Sequence, residues 1–301
     1  MFFKNLRVFR LAPSFDFGTV LLDAALRRHE FRPGSAQEMQ TLGWVQPCEH
    51  ASTGLAHCID GQYLIKLRVE KKLLPATVIN QAARAKALDI EENQGYKPGR
   101  KLMKEIKEQV TDELLPKSHS LYRDTFVWID TKNHWLVIDA AVAGKADEVL
   151  GLLAKAIDPF PVMQLYVEQS PAGAMTSWLL DDEAPASFTI DQDTELQSTS
   201  ASGAKVRYVR QSMEMDDVRK HVQAGKQATR LAMTWSDRIT FVLTEGLDIK
   251  RVTPLDVIKE TQNSAAENAA EKFDSDFVLM TGELSRMLDA LVDALGGEKQ
   301  Y

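Results

Sequence analysis

Strand-like runs in this sequence are interrupted by helical ones without a regular strand–helix–strand beat, and that order limits the fold more than any motif does. A parallel sheet needs a long crossover, usually a helix, between neighbouring strands. An irregular order therefore points to an α+β chain with mixed or antiparallel sheets. Residues 2–11 (FFKNLRVFRL), rich in aromatic and branched side chains and bounded by Pro13, read as a strand. Residues 18–30 read as a helix, with Val20, Leu21, Ala24, Ala25 and Arg28 at helical spacing. In 62–69, Tyr63, Ile65, Leu67 and Val69 alternate with Lys66 and Arg68, which predicts a half-buried strand with a basic open face.

From residue 76 the period changes. Ala76–Asn93 is helical, Leu102, Ile106, Val110 and Leu114 recur every four residues, and Gly95, Pro98 and Gly99 separate the two stretches. The narrow apolar stripe predicts a protruding helical hairpin. Strands follow at 125–131 and 134–142 around a turn at Lys132–Asn133, then a helix at 145–157 and a strand at 162–168. The acidic, Ser- and Thr-rich stretch 181–204 is expected to form loops and short pieces. Strands return at 205–211, 227–235, 238–244 and 248–253, with a helix at 215–224. A long helix from about 271 to 295 ends at Gly296–Gly297, a suitable C-cap. The expected organisation is a central α+β region (1–75 with 118–170), a helical tip (76–117) and a C-terminal α+β region (171–301).

The 301 residues carry a net charge of −7, which taken whole argues against a nucleic-acid partner. Charge is segregated, however: residues 61–145 carry +4, residues 146–204 carry −9, and residues 205–230 carry +4. Such segregation can place a positive surface on a negative protein, and phosphate binding needs only that surface. Lys205 and Arg207 share a strand face at a separation of about 7 Å, close to the spacing of successive phosphates. Solvation of ordinary exposed faces is the competing reading of the same charges.

Motifs for chemistry are weak or missing. Cys48, His50, His57 and Cys58 lie within eleven residues, but their spacing is not that of a zinc finger, and adjacent His57 and Cys58 point apart on a strand. No metal or cofactor is expected, and two cysteines fit a reducing compartment. Asp181, Asp182, Glu183, Asp191, Asp193 and Glu195 are numerous enough for a metal-dependent nuclease, but read as a solvated loop. Ala224-Gly225-Lys226 lacks the upstream glycine of a phosphate loop, and Gln227 stands where Ser or Thr would bind magnesium. No secretion signal or membrane span is expected.

Several segments together resemble the recombination-associated protein RdgC family of proteobacteria. They are FKNLRVFRL at 3–11, Gly43-Trp44-Val45 with Pro47, KLLPATVINQA at 72–82, Leu114-Leu115-Pro116, Trp128-Ile129-Asp130-Thr131, AGKQATRLAMTWSDRITFVL at 224–243 and FDSDFVLMTGEL at 273–284. The resemblance runs end to end, although 181–204 shares only general character. It implies a homodimer closed into a ring around duplex DNA, non-specific binding to double- and single-stranded DNA, antagonism of the RecA recombinase by competition for DNA, and no enzymatic activity. It also implies a cytoplasmic, nucleoid-associated protein with no membrane partner. The hairpin would form one dimer contact, with Leu115, His119, Leu121 and Tyr122 as candidates, and a C-terminal part the other. The phosphate-contact candidates are Lys66, Arg68, Lys97, Arg100, Lys101, Lys104, Lys205, Arg207, Arg210, Gln211, Lys226 and Arg230. The alternatives are a metal-dependent nuclease and a scaffold that binds a basic partner through 146–204.

Overall fold

A computed structural model describes residues 2–13, 18–49, 54–201, 203–211, 215–258 and 268–299. The chain is α+β, and its strands pair antiparallel throughout the registers described. It divides into two compact units: residues 1–28, 46–66 and 125–301 form the first, and 29–45 with 67–124 the second.

In the first unit β1 (Asn5–Leu11) pairs with β6 (Trp135–Asp139) along one edge. Its other edge is shared by β12 (Ile249–Pro254) at Asn5–Leu6 and β7 (Val162–Gln164) at Phe9–Leu11. Beyond β12 the order continues through β11 (Ile239–Thr244), β10 (Lys226–Trp235), β8 (Phe188–Ser198) and β9 (Lys205–Tyr208). On the far side of β6 lie β5 (Ser120–Asp130) and β4 (Gln62–Lys72), with β3 (Ala56–Ile59) paired to β4. β4 and β5 each divide between the two units.

One face of this sheet is covered by α7 (Ala269–Ala294), which buries Phe277, Met280, Leu284, Met287, Leu288 and Leu291 against Leu6, Val8, Trp135, Leu243 and Ile249. The helical spacing of these positions makes one continuous apolar stripe. Asn268 caps the helix by accepting the Glu271 N–H. At the other end Gly296 and Gly297, both at positive φ, donate to Asp293 and Val292 carbonyls. Two further helices join this core, α5 (Pro171–Asp181) through Ala174, Met175 and Leu179, and α6 (Met215–Gln223) through Val218. α4 (Ala143–Ala156) buries Ala146, Val149, Leu152, Leu153 and Ala156.

The second unit contains β2 (Gln40–Val45), α2 (Ala76–Gln94), α3 (Arg100–Leu114) and a 3-10 turn at Leu115–Lys117. Ala83 and Ala87 of α2 pack on Ile106 and Val110 of α3, with Leu102 and Leu114 at the margins, so the four-residue repeat is the buried seam. Gly43 has a structural requirement: a Cβ there would lie 2.4 Å from the Phe31 Cα, where the Phe31 N–H donates to the Trp44 carbonyl and the Trp44 N–H to the His29 carbonyl.

Several expectations need correction. Residues 181–204 do not form loops and short pieces: 188–198 is an eleven-residue strand, β8. Its acids Asp191, Asp193 and Glu195 alternate with Ile190, Thr194 and Leu196, and its register against β10 shifts between Ala228 and Arg230 and between Leu231 and Met233. The strand expected at 162–168 stops at Gln164, and α5 went unread. The face of α1 (Gly18–Arg27) is also rotated from that expected: it buries Leu22, Ala25 and Leu26, while Val20 and Leu21 are 82% and 64% exposed. Asp23 sets that rotation, because its carboxylate accepts the N–H groups of Leu55 (2.5 Å) and Ala56 (3.3 Å).

Candidate nucleic-acid interface

The face of the first unit's sheet opposite α7 is lined with charge from β9 through β1. In cross-strand register, Arg207 of β9 stands opposite Glu195 of β8, and Glu195 opposite Arg230 of β10. Lys205 is two residues from Arg207 on the same face, and both are exposed. Lys250 and Arg251 of β12 join them across Val242, so that Asp193, Glu195, Arg207, Arg230, Lys250 and Arg251 line one shallow depression. Arg7 of β1 continues the row, with its guanidinium 2.9 Å from Asp248.

Consecutive Lys250 and Arg251 reach one face because β12 carries an irregularity. Its register against β11 shifts between Thr240 and Val242, and Arg251 adopts a positive φ of 55°. The core side chains Ile249 and Val252 are accordingly three residues apart instead of two.

Most of these cations are held by carboxylates. Lys205 lies 3.3 Å from Glu195, Arg251 3.4 Å from Asp193, and Lys250 3.8 Å from Asp248. Burial works to raise the Glu195 carboxyl, but hydrogen bonds from Lys205 and Thr229 and the charges of Lys205 and Arg230 carry it below the ordinary carboxylate value. Arg207 and Arg230 have no ion pair among the described residues.

The structure thus brings together three of the candidates read from sequence: Lys205, Arg207 and Arg230. Arg210 and Gln211 follow β9 and are exposed, and the Arg210 N–H donates to Asp193 at 2.9 Å. Lys226 opens β10 with its Nζ 3.5 Å from His221. Lys66 donates to the Pro47 carbonyl at 3.2 Å and lies over the Phe126 ring. In the second unit Arg68 is held by both carboxylate oxygens of Asp124, at 2.8 and 2.7 Å. The basic open face expected for 62–69 is therefore largely occupied, and Leu64, on the Lys66 side, is fully buried. Lys97, Arg100, Lys101 and Lys104 are exposed around the start of α3, with Lys104 3.6 Å from Glu108. Of the four dimer-contact candidates, Leu115 is buried, His119 is exposed, and Leu121 and Tyr122 are 40% and 51% exposed.

Sequence reasoning missed Arg7, Lys250 and Arg251. Segment charge hid the last two, because the acidic stretch that follows them cancels their contribution. A strict period of two would also have sent them to opposite faces.

Among the described residues no three His, Cys, Asp or Glu side chains are placed to hold a metal ion. His50 lies outside the described residues. His57 Nε2 sits 3.0 Å from Asp274 without hydrogen-bond alignment, between the edges of Phe273 and Phe277, and Cys48 and Cys58 are free thiols. The acidic residues separate: Asp181, Asp182 and Glu183 end α5, whereas Asp191, Asp193 and Glu195 lie along β8. Asp191 accepts the Thr234 hydroxyl at 2.8 Å. A cavity of about 980 Å³ opens beside β1 and β7, where Arg10 is already held by Glu298, the Asn133 carbonyl and the Trp135 ring. No described helix is long and apolar enough to cross a membrane.

Comparison with known proteins adds what geometry alone does not. The family model described as "Putative exonuclease, RdgC" matches residues 1–298. A protein of Bordetella parapertussis named "Recombination-associated protein RdgC" is 62% identical over 300 residues, covering all of both chains. Proteins of the same name from Cupriavidus necator and from Janthinobacterium are 56% identical over 300 residues, covering all of both chains, and 58% identical over 298, covering 99% of each. With a family match over almost its whole length and full-length relatives above half identity, this chain belongs to the recombination-associated RdgC family.

Proposed function

We propose that the protein binds DNA without reading its sequence, double- and single-stranded alike, as a homodimer closed into a ring. It modulates recombination by competing with the RecA recombinase for DNA. The observation that carries this reading is the open sheet face on which Arg207 and Arg230, without ion pairs among the described residues, stand beside Glu195, flanked by Lys205, Lys250, Arg251 and Arg7. Such a face suits a phosphate backbone, because counterion release needs positive charge and no base-edge contacts. The names of the relatives, which associate them with recombination, agree with it.

One dimer contact is assigned to the α2–α3 helical hairpin and the chain on either side of it, where Leu73, Leu121 and Tyr122 expose apolar surface at 54%, 40% and 51%, and the other to a C-terminal part. The deciding experiment is a salt titration of binding to random-sequence duplexes and single strands, with the mass of the free protein measured by light scattering. A steep loss of affinity with salt, equal for unrelated sequences, and a dimeric mass are expected. Salt-independent affinity or a strong preference for one sequence would sink the proposal.

A second reading has its own support. The family model's description names an exonuclease, and Asp191, Asp193 and Glu195 lie on the same strand as part of the cationic face. Incubation of end-labelled DNA with magnesium or manganese tests it. Release of nucleotides that disappears in Asp193→Asn would replace the non-catalytic reading.

A further inference from the structure

We propose that Asp193, Glu195 and Asp248 act as built-in competitors for phosphate, so that DNA must exchange with the protein's own carboxylates to gain its contacts. The inference rests on the DNA-binding reading and concerns how that face is regulated. Three carboxylates hold four of its six cations: Asp193 holds Arg251, Glu195 holds Lys205, and Asp248 holds both Arg7 and Lys250.

These carboxylates are fixed in place by further contacts. Glu195 also accepts the Thr229 hydroxyl at 3.1 Å, Asp193 the Arg210 N–H at 2.9 Å, and the Asp248 backbone is tied twice to the Thr244 side chain. Their side chains are only 12%, 30% and 20% exposed, so they stay beside the cations. Stability alone is a poor reason for this arrangement, since partly exposed ion pairs contribute little to folding. Its effect on binding is larger. A phosphate that enters replaces an existing anion at each paired cation, and releases fewer counterions than the cation count suggests. Affinity falls, dissociation quickens, and the salt dependence becomes shallower.

The test uses the full chain and an end-labelled random duplex. The double variant Asp193→Asn with Glu195→Gln removes the charge and keeps one acceptor oxygen on each side chain, enough for the Arg210 N–H and the Thr229 hydroxyl. It is expected to bind about 3- to 10-fold tighter at moderate salt. The slope of log affinity against log salt should steepen by about 0.9 for each cation released. Asp248→Asn is an independent variant with the same expectation, should the double variant fail to fold. The control is Asp293→Asn on α7, whose helix packs the other face of the sheet. Unchanged or weaker binding in the carboxylate variants overturns the inference, as does an equal gain from Asp293→Asn, which would reduce the effect to net charge. Arg207→Ala with Arg230→Ala separates the two levels. If the arginine variant loses affinity while the amides fail to tighten binding, only the competitor role falls. If the arginine variant binds as before, the DNA-binding reading of this face falls with it.

Discussion

Replacing Arg207 and Arg230 together by alanine tests the interface where its expected contribution is largest. Both stand on the open face, neither is engaged by a carboxylate within ion-pair distance among the described residues, and Arg207 is exposed at the edge strand β9. Each is expected to neutralise one phosphate, which contributes about 0.9 to the slope of log affinity against log salt. Removing both should make the slope shallower by about 1.8 per protomer. Between about 50 and about 200 mM salt, wild type should then lose roughly twelvefold more affinity than the variant for each protomer that contacts the duplex. Fluorescence anisotropy of a labelled random duplex across that range measures it. Exposed substitutions without partners change stability by no more than about 0.5 kcal/mol, so a folding defect should not intrude. Lys205→Ala is the comparison. Because Glu195 already holds that ammonium, its removal should alter the slope less than the loss of either arginine. A slope unchanged in the double variant, or a larger effect from Lys205→Ala, would refute the assignment of free and held cations.

Other predictions concern the scaffold. Glu283 is 1% exposed on α7 and is held by Arg238 through two hydrogen bonds of 2.7 and 2.8 Å, with Arg286 as a third partner. Arg238→Ala leaves a buried carboxylate short of its main partner and should cost about 3 kcal/mol in urea unfolding; a loss under about 1 kcal/mol would show that Arg286 suffices. Burial holds the Asp139 carboxyl above its usual value, although it accepts the N–H groups of Lys4 and Asn5. A raised folded value means its contribution is complete below the unfolded value and is lost as pH rises through the folded one. Wild type should therefore lose stability relative to Asp139→Asn on going upward from pH about 4, and a flat difference would contradict the assignment. Ile106→Ala should destabilise the α2–α3 seam by about 2–4 kcal/mol, seen as faster amide exchange in both helices, with the α7 core protected as before.

The elements legible from sequence were those whose periodicity is strict and local. The α2 and α3 boundaries, the four-residue seam of α3 and the glycine end of α7 follow from side-chain spacing and cap chemistry, which a single segment carries by itself. β8 was not legible. Its acids resemble a solvated loop until β10 and β9 pair with it.

The candidate interface divides in the same way. Clustered charge around 205–230 could be read directly, and Lys205, Arg207 and Arg230 do meet on one face. Lys250 and Arg251 reach that face only because β12 departs from a period of two, and Arg7 only because β1 lies beside β12. Whether a cation is available also depends on which acid stands across the strand. Asp124 of β5 holds Arg68 with both oxygens, whereas Arg207 makes no ion pair among the described residues although Glu195 stands opposite. Local spacing determined which residues carry charge and which helices form. Pairing between segments far apart in the chain, a long-range property of register and bulges, decided which charges share a face and which of them a carboxylate holds.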